Sequence, residues 1–208
     1  MYYELATLTL PFGTTAQAAT QAHAFATAPE AQGELLACWS TDIGVLNRMI
    51  VLRGFADLAA LQAERERTQR AASPFGCGDL YQHLDLASYR GFPWMKPARP
   101  SAESGIAGPV YEIRTYGIRP GGTQPTIDLW QQYLPAREAI SPCVVAMVAL
   151  DGAPRFTNIW AYPGLDARSR ARADAVAQGL WPPKGGPSHL TTDMVSTIAL
   201  PTSVSPMQ

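Results

Sequence analysis

The chain says nearly the same thing twice. Tyr3-Glu4-Leu5-Ala6-Thr7 returns half a chain later as Tyr111-Glu112-Ile113-Arg114-Thr115. Asp42-Ile43-Gly44-Val45-Leu46-Asn47 is echoed by the stretch from Asp151-Gly152 to Asn158, and glycine-led helix entries follow at Gly54-Phe55-Ala56-Asp57-Leu58 and Gly164-Leu165-Asp166. Solenoid units repeat every 20–50 residues or so. A repeat that takes half of 208 residues is instead a duplicated small domain.

Each copy reads in the same order. Residues 2–10 alternate and are rich in aromatic and Thr side chains, the pattern of a half-buried strand. Residues 16–28 put Ala18, Ala19, Ala22, Phe25 and Ala26 on one helical stripe. Strands follow at 34–40 and 47–53, a helix at 55–70 and a strand at 80–89. Residues 91–109 hold four prolines and read as a semi-stiff linker, with Phe92, Trp94 and Met95 packing on a neighbour. The second copy gives a strand at 110–118 and a helix at 123–139, its Ile127, Trp130 and Leu134 turned inward. A hairpin at 143–150 and 155–162, a helix at 165–178 and a strand at 190–200 complete it, with residues 182–189 as a mobile-looking loop. Each unit is βαββαβ, the ferredoxin-like order. The predicted organisation is a first repeat over 1–90, a Pro-rich linker over 91–109 and a second repeat over 110–208. The fold class is α+β. The two sheets cover each other in an intramolecular, pseudo-dimeric α/β barrel with helices outside.

Composition narrows the function classes. Net charge is −1, which leaves no electrostatic footprint for nucleic acid. Charged residues make up 16%, against a usual share of about 25%, a scarcity that fits surface hidden in an interface. The arginine sets Arg65, Arg67, Arg70 and Arg168, Arg170, Arg172 fall on predicted helices near acids and read as ion-paired, solvated faces. Cys38, Cys77 and Cys143 form no paired framework, and reduced thiols fit a cytoplasmic protein. No secretory leader and no membrane span are expected: the chain enters a strand pattern at once, and no apolar run reaches about 18 residues. Nucleotide, nucleophile-elbow and zinc motifs are missing, and His23, His83 and His189 have no paired-ligand spacing. No metal and no cofactor is expected.

Tyr111-Glu112-Ile113-Arg114-Thr115-Tyr116, then Pro120-Gly121 and Trp130, resembles the opening of a NIPSNAP domain. Asp151-Gly152, Asn158-Ile159-Trp160-Ala161-Tyr162 and Leu165-Asp166-Ala167-Arg168 resemble its hairpin and second helix. Trp181-Pro182 and the tail from Leu200 to Pro206 resemble its closing segment. The first half is similar but diverged: Ala6-Thr7-Leu8 replaces the Arg-Thr-Tyr, and Leu52 stands where Trp160 would align. The resemblance implies the dimeric α/β-barrel fold in tandem form. It implies little about activity, because related barrels include cofactor-free oxygenases, haem-degrading enzymes and stress-responsive proteins, and fold alone does not choose among them.

Strand alternation selects the candidate site. Glu112, Arg114 and Tyr116 share one face of their strand, and Asn158, Trp160 and Tyr162 share a face of theirs. The first set is too polar to pack under helices, so it is expected in the sheet–sheet space, at an edge or in solvent. Together the six make an aromatic pocket with a cation and an amide, suited to a flat anionic or quinone-like molecule. Trp39 and Asn47 of the first half are candidate additions, and His189 is a candidate general base on a loop. Glu112 and Arg114 also read as a plain ion pair, Arg137 as a cap on helix carbonyls, and Arg168 as a partner of Asp151 or a terminal carboxylate.

Three readings follow. The chain binds a small aromatic or hydrophobic ligand between its sheets, without assigned catalysis. Alternatively it is a cofactor-independent monooxygenase or cyclase acting on a polyketide-like aromatic, with Asn158, Trp160 and Arg114 as carriers. The third reading is a homo-oligomeric structural or interaction protein.

Overall fold

The computed structural model describes all 208 residues, Met1–Gln208. In chain order the elements are β1 (Tyr2–Thr9), α1 (Thr15–Ala26), β2 (Glu34–Ile43), β3 (Arg48–Phe55), α2 (Leu58–Arg70) and β4 (His83–Gly91), then one turn of helix, α3 (Ser101–Ser104). The second set is β5 (Val110–Ile118), α4 (Thr123–Glu138), β6 (Cys143–Ala149), β7 (Arg155–Tyr162), α5 (Leu165–Ala177) and β8 (Leu190–Pro201). Within each repeat the strand order is the ferredoxin-like one, β4-β1-β3-β2 and β8-β5-β7-β6.

The repeats meet edge to edge. β2 pairs with β8 and β4 pairs with β6, both antiparallel, which closes all eight strands into one barrel. Closure satisfies the edge strands that each half alone would leave open. Alternation then divides the side chains. Tyr3, Leu5, Trp39, Leu52, Tyr111, Ile113 and Ile159 point inward and pack with Tyr89 and Met147 into one core. Ala98 of the connector and Met207 near the C-terminus pack into the same core.

This corrects one expectation. The space between the sheets is a packed interior, and the Glu112, Arg114 and Tyr116 face lies on the barrel's outer side, under α4 and α5. The helices tolerate that polar face because α5 brings its own counter-charges. The connector does pack on the second repeat: Phe92 is buried beside Trp130 and Phe156, and Trp94 Nε1 donates to the Ile127 carbonyl at 3.3 Å.

The two helix layers differ in thickness of side chain. α1 lies on its sheet through Ala18, Ala19, Ala22 and Ala26. α4, at the same spacing, uses Thr126, Ile127, Trp130 and Leu134. A wall of alanine allows close approach, whereas Trp130 and Leu134 prop the second helix away from its strands. Space between sheet and helix therefore belongs to the second repeat.

Trp39 is fully buried inside the barrel, its ring centroid 5.0 Å from that of Tyr111. Trp39→Ala is expected to reduce unfolding free energy by about 3–5 kcal/mol, the usual cost of emptying a buried aromatic site, measured by urea denaturation.

Candidate functional site

β5 and β7 pair so that Glu112 faces Trp160, Arg114 faces Asn158 and Tyr116 faces Phe156. All six side chains sit on the helix-facing side. Glu112 has no solvent exposure. Its Oε1 accepts hydrogen bonds from Arg114 Nη1 at 2.5 Å, Arg168 Nη2 at 2.5 Å and Ser196 Oγ at 2.7 Å. Arg172 Nη1 lies 3.9 Å from the other oxygen. Burial by itself would raise the carboxyl's pKa. The bonds from Arg168 and Ser196, with the charges of Arg114 and Arg168, outweigh burial and hold it at about 2. Arg168 is thus a partner of Glu112, whereas Asp151 pairs with Arg65 and Arg155.

Beside this cluster is a cavity of about 270 Å³. The sheet supplies Arg114, Tyr116, Phe156, Asn158, Trp160 and Tyr162. α4 supplies Thr126, Leu129, Trp130 and Arg137, and α5 supplies Arg172, Ala175 and Val176. The remaining wall is the turn after α5, with Trp181, Pro182, Pro183, Gly186 and Pro187, then Leu190 and Met194. The stretch read as a mobile loop is therefore one side of the site, and includes a 3-10 turn at Gly186–His189. The rings meet edge to face: Trp130 to Trp181 at 4.7 Å, Trp130 to Phe156 at 5.3 Å and Trp160 to Trp181 at 6.0 Å between centroids.

The charged groups on the walls are all cations. Arg137 is 3% exposed, donates to Ser141 Oγ at 2.6 Å and to Tyr162 Oη at 3.5 Å, and lies 4.5 Å above the Trp160 ring. It is a buried wall residue, not a cap on carbonyls. Burial and the like charge of Arg114 pull the Arg172 guanidinium below its ordinary value, against the attraction of Glu112. Arg114 Nε donates to Tyr116 Oη. Trp160 Nε1 donates to Asn158 Oδ1 at 2.7 Å, and Asn158 Nδ2 donates to the Arg114 carbonyl at 3.3 Å. No Asp or Glu lines the cavity.

The first repeat fills the equivalent space. In the β1–β3 register Arg53 stands opposite Glu4, so Arg53, not Leu52, is the counterpart of Trp160. Ala6, Leu8 and Val51 take the places of Arg114, Tyr116 and Asn158. α2 and α5 are both 13 residues long, and Glu64 and Thr68 of α2 match Ala171 and Ala175 of α5. Arg53 bonds Glu4 at 2.5 Å, Glu64 and Thr68, and Phe75 is fully buried with the Arg53 guanidinium 4.8 Å from its ring. The solvated-face reading thus fails for Arg65 and Arg67, which reach Glu4 and Glu64, and holds for the exposed Arg70–Glu66 pair.

Of the sequence candidates, Glu112, Arg114, Tyr116, Asn158, Trp160 and Tyr162 come together, with Glu112 beneath the wall. Trp39 does not join them, because its place in the strand alternation turns it into the barrel. Asn47 is exposed in the β2–β3 turn with φ +56°, a left-handed position suited to Asn. His189 is the last residue of the 3-10 turn Gly186–His189 and does not line the cavity. Arg137 and Arg172 were missed, though both carry a signal. Arg137 continues the inward series Trp130, Leu134 at helical spacing, and Arg172 stacks four residues after Arg168. No three His, Cys, Asp or Glu side chains converge where they could hold a metal ion, and no helix is long and apolar enough to cross a membrane.

The Glu112 cluster predicts a pH dependence with a definite sign. Its folded pKa of about 2 lies below the ordinary 4.5, so its stabilisation is full above the ordinary value and is lost as pH falls toward 2. Glu112→Gln leaves Arg168 and Arg114 without their acid and is expected to cost about 3 kcal/mol at pH 7. Its stability should also vary less than wild type between pH 4.5 and 2, as read by denaturant unfolding across that range.

The NIPSNAP family model matches residues 3–74 and again residues 111–206. Protein NipSnap homolog of Dictyostelium discoideum is 24% identical over 147 residues, 70% of this chain and 65% of that protein, just under two thirds of its length. Among solved structures, a candidate monooxygenase from Lactobacillus acidophilus NCFM superposes with a TM-score of 0.65 at 9% identity, covering 96% of this chain and 92% of the other. An anthrone oxidase-like protein gives 0.63 at 10% identity, covering 97% and 91%. At such identities the likeness bears on the fold, that of dimeric α/β-barrel proteins. The two-segment match places the signature in both repeats, and the chain belongs to the NIPSNAP family.

Proposed function

We propose that this protein binds a small, flat, hydrophobic aromatic molecule in the cavity between the second repeat's sheet and its helices. The observation that carries the reading is the cavity of about 270 Å³ walled by Trp130, Phe156, Trp160 and Trp181. Ligand sites usually begin near about 300 Å³, so the occupant is a molecule of one or two rings. The aromatic walls supply contact area, and Arg114 and Asn158 offer donors to its oxygens. The site lies in the sheet–helix layer, so the barrel interior stays packed when it is filled.

A cofactor-independent oxygenase or cyclase is the second reading, supported by the fold likeness to the anthrone oxidase-like protein and by the Asn158 amide on the cavity wall. Geometry limits it. The Trp160 indole N–H is engaged by Asn158, so charge stabilisation falls to the second Asn158 amide hydrogen and to Arg114. Binding is therefore the reading the site supports best.

Titration with a panel of one- and two-ring aromatics, followed by tryptophan fluorescence, tests both. Saturable quenching is expected, with affinity at least tenfold weaker in Ala175→Leu, which fills the cavity. A panel in which nothing changes either fluorescence or melting temperature of the wild type would overturn the binding reading. Oxygen uptake with an anthrone, lost in Asn158→Ala, would establish the oxygenase reading.

A further inference from the structure

We infer that the ligand of this cavity is an aromatic acid, whose carboxylate supplies the counter-ion that the second repeat lacks. The inference rests on the binding reading and narrows it to one chemical class.

The cavity walls carry three guanidiniums, Arg114, Arg137 and Arg172, and no carboxylate. Arginine keeps its charge at neutral pH, so the walls are cationic. Glu112 lies beneath them: its Oε1 is committed to Arg114, Arg168 and Ser196, and its Oε2 accepts no hydrogen bond, with Arg172 Nη1 3.9 Å away. Arg137 is almost fully buried, yet its partners are neutral: a serine hydroxyl, a tyrosine hydroxyl and an indole face. The adjacent Glu138 makes no ion pair with it; the Glu138 carboxyl lies against the Cys143 backbone and near Lys96, and burial raises its pKa. A buried cation without an acid carries a desolvation cost that an anion would offset. Arg114 Nη2 makes no hydrogen bond within the protein, and Arg172 makes none at all, its nearest carboxylate oxygen lying at 3.9 Å.

The first repeat is the internal comparison. There the buried guanidinium, Arg53, is held by two carboxylates, Glu4 and Glu64. Glu4 has its counterpart in Glu112. Glu64 does not: the matching position in α5 is Ala171. The filled copy thus carries two acids where the copy with the cavity carries one. The second repeat keeps more cations, omits one acid and leaves space in the same layer. A planar acid fits all three features. Its ring meets Trp160 and Trp181, and its carboxylate takes the paired N–H groups that guanidiniums present in a fork.

The test compares 2-naphthoate with 2-naphthamide, which share shape and differ in charge, by calorimetric titration of the wild-type protein at pH 7 and low salt. Naphthoate is expected to bind at least tenfold more tightly. Arg172→Gln, at the half-exposed edge of the cavity, is expected to shrink that advantage to threefold or less, and Arg137→Gln to do the same if it folds. Equal affinity of the two probes for the wild type would overturn the acid inference and leave the binding reading standing. Failure of both probes to bind would overturn the two together. An advantage for naphthoate that Arg172→Gln and Arg137→Gln both leave intact would also count against it, by placing the acid away from these cations.

Discussion

Glu112 stands on β5 with no exposure to water, and a carboxylate in that place has to be met by cations from whatever lies above it. That demand sets the register of α5. Arg168 and Arg172, one turn apart, are the residues that reach down to it, and Arg114 reaches across from its own strand. The helix cannot slide or rotate without leaving a buried charge unpaired, a change worth about 3–5 kcal/mol. Glu4 imposes the same requirement on the first repeat and is met by Arg53 and Arg65. The duplicated carboxylate thus anchors a helix on the outside of each half of the barrel.

What differs between the halves is how the layer around that anchor is filled. The first repeat uses alanines on α1, a second acid on α2 and the inserted ring of Phe75, and interiors packed this way leave no room for a guest. The second repeat places Trp130 and Leu134 on α4, which hold the helix off the sheet, and alanines on α5, which do not fill the gap. The same architecture yields a solid layer in one copy and a cavity in the other. That one repeat has this cavity and the other does not follows from side-chain size, with no change in topology.

Much of this was legible in the sequence. The period-two alternation placed Glu112, Arg114 and Tyr116 together, and did the same for Asn158, Trp160 and Tyr162. The repeat foretold the barrel. The contrast between Ala18, Ala19, Ala22 and Ile127, Trp130, Leu134 was visible as helical stripes. The error was one of side. A polar strand face is unfit to lie under helices only if a helix underside is apolar. Arginines spaced four apart break that premise, because a helix can carry counter-ions inward as well as methyl groups. Trp39 was misplaced for a related reason: strand parity shows which residues share a face, but not which face the barrel encloses. Asn47 looked like a site residue because it is polar, whereas its role is the left-handed bend of a turn. Arg137 lies near a helix end, where arginines cap carbonyls, but its spacing from Trp130 and Leu134 is what turns it inward.

The position of the cavity also restricts what kind of device the site can be. It is bounded on one side by barrel strands whose inner faces are fully packed, so that wall is stiff. Its opposite side is formed by α4, α5 and the turn from Trp181 to Pro187. Exposed Val176 and Met194 stand at its rim. Apolar groups at the rim beside cationic walls, with Arg172 at the edge and Arg137 deep inside, suit the proposed ligand, which is greasy at one end and charged at the other. For the proposed aromatic acid, buried Arg137 is the cation around which little water competes, and that is where a charge-assisted hydrogen bond is strongest. In the proposed site selectivity rests on the wall charges, and the aromatic walls set how large a ring system fits beside them.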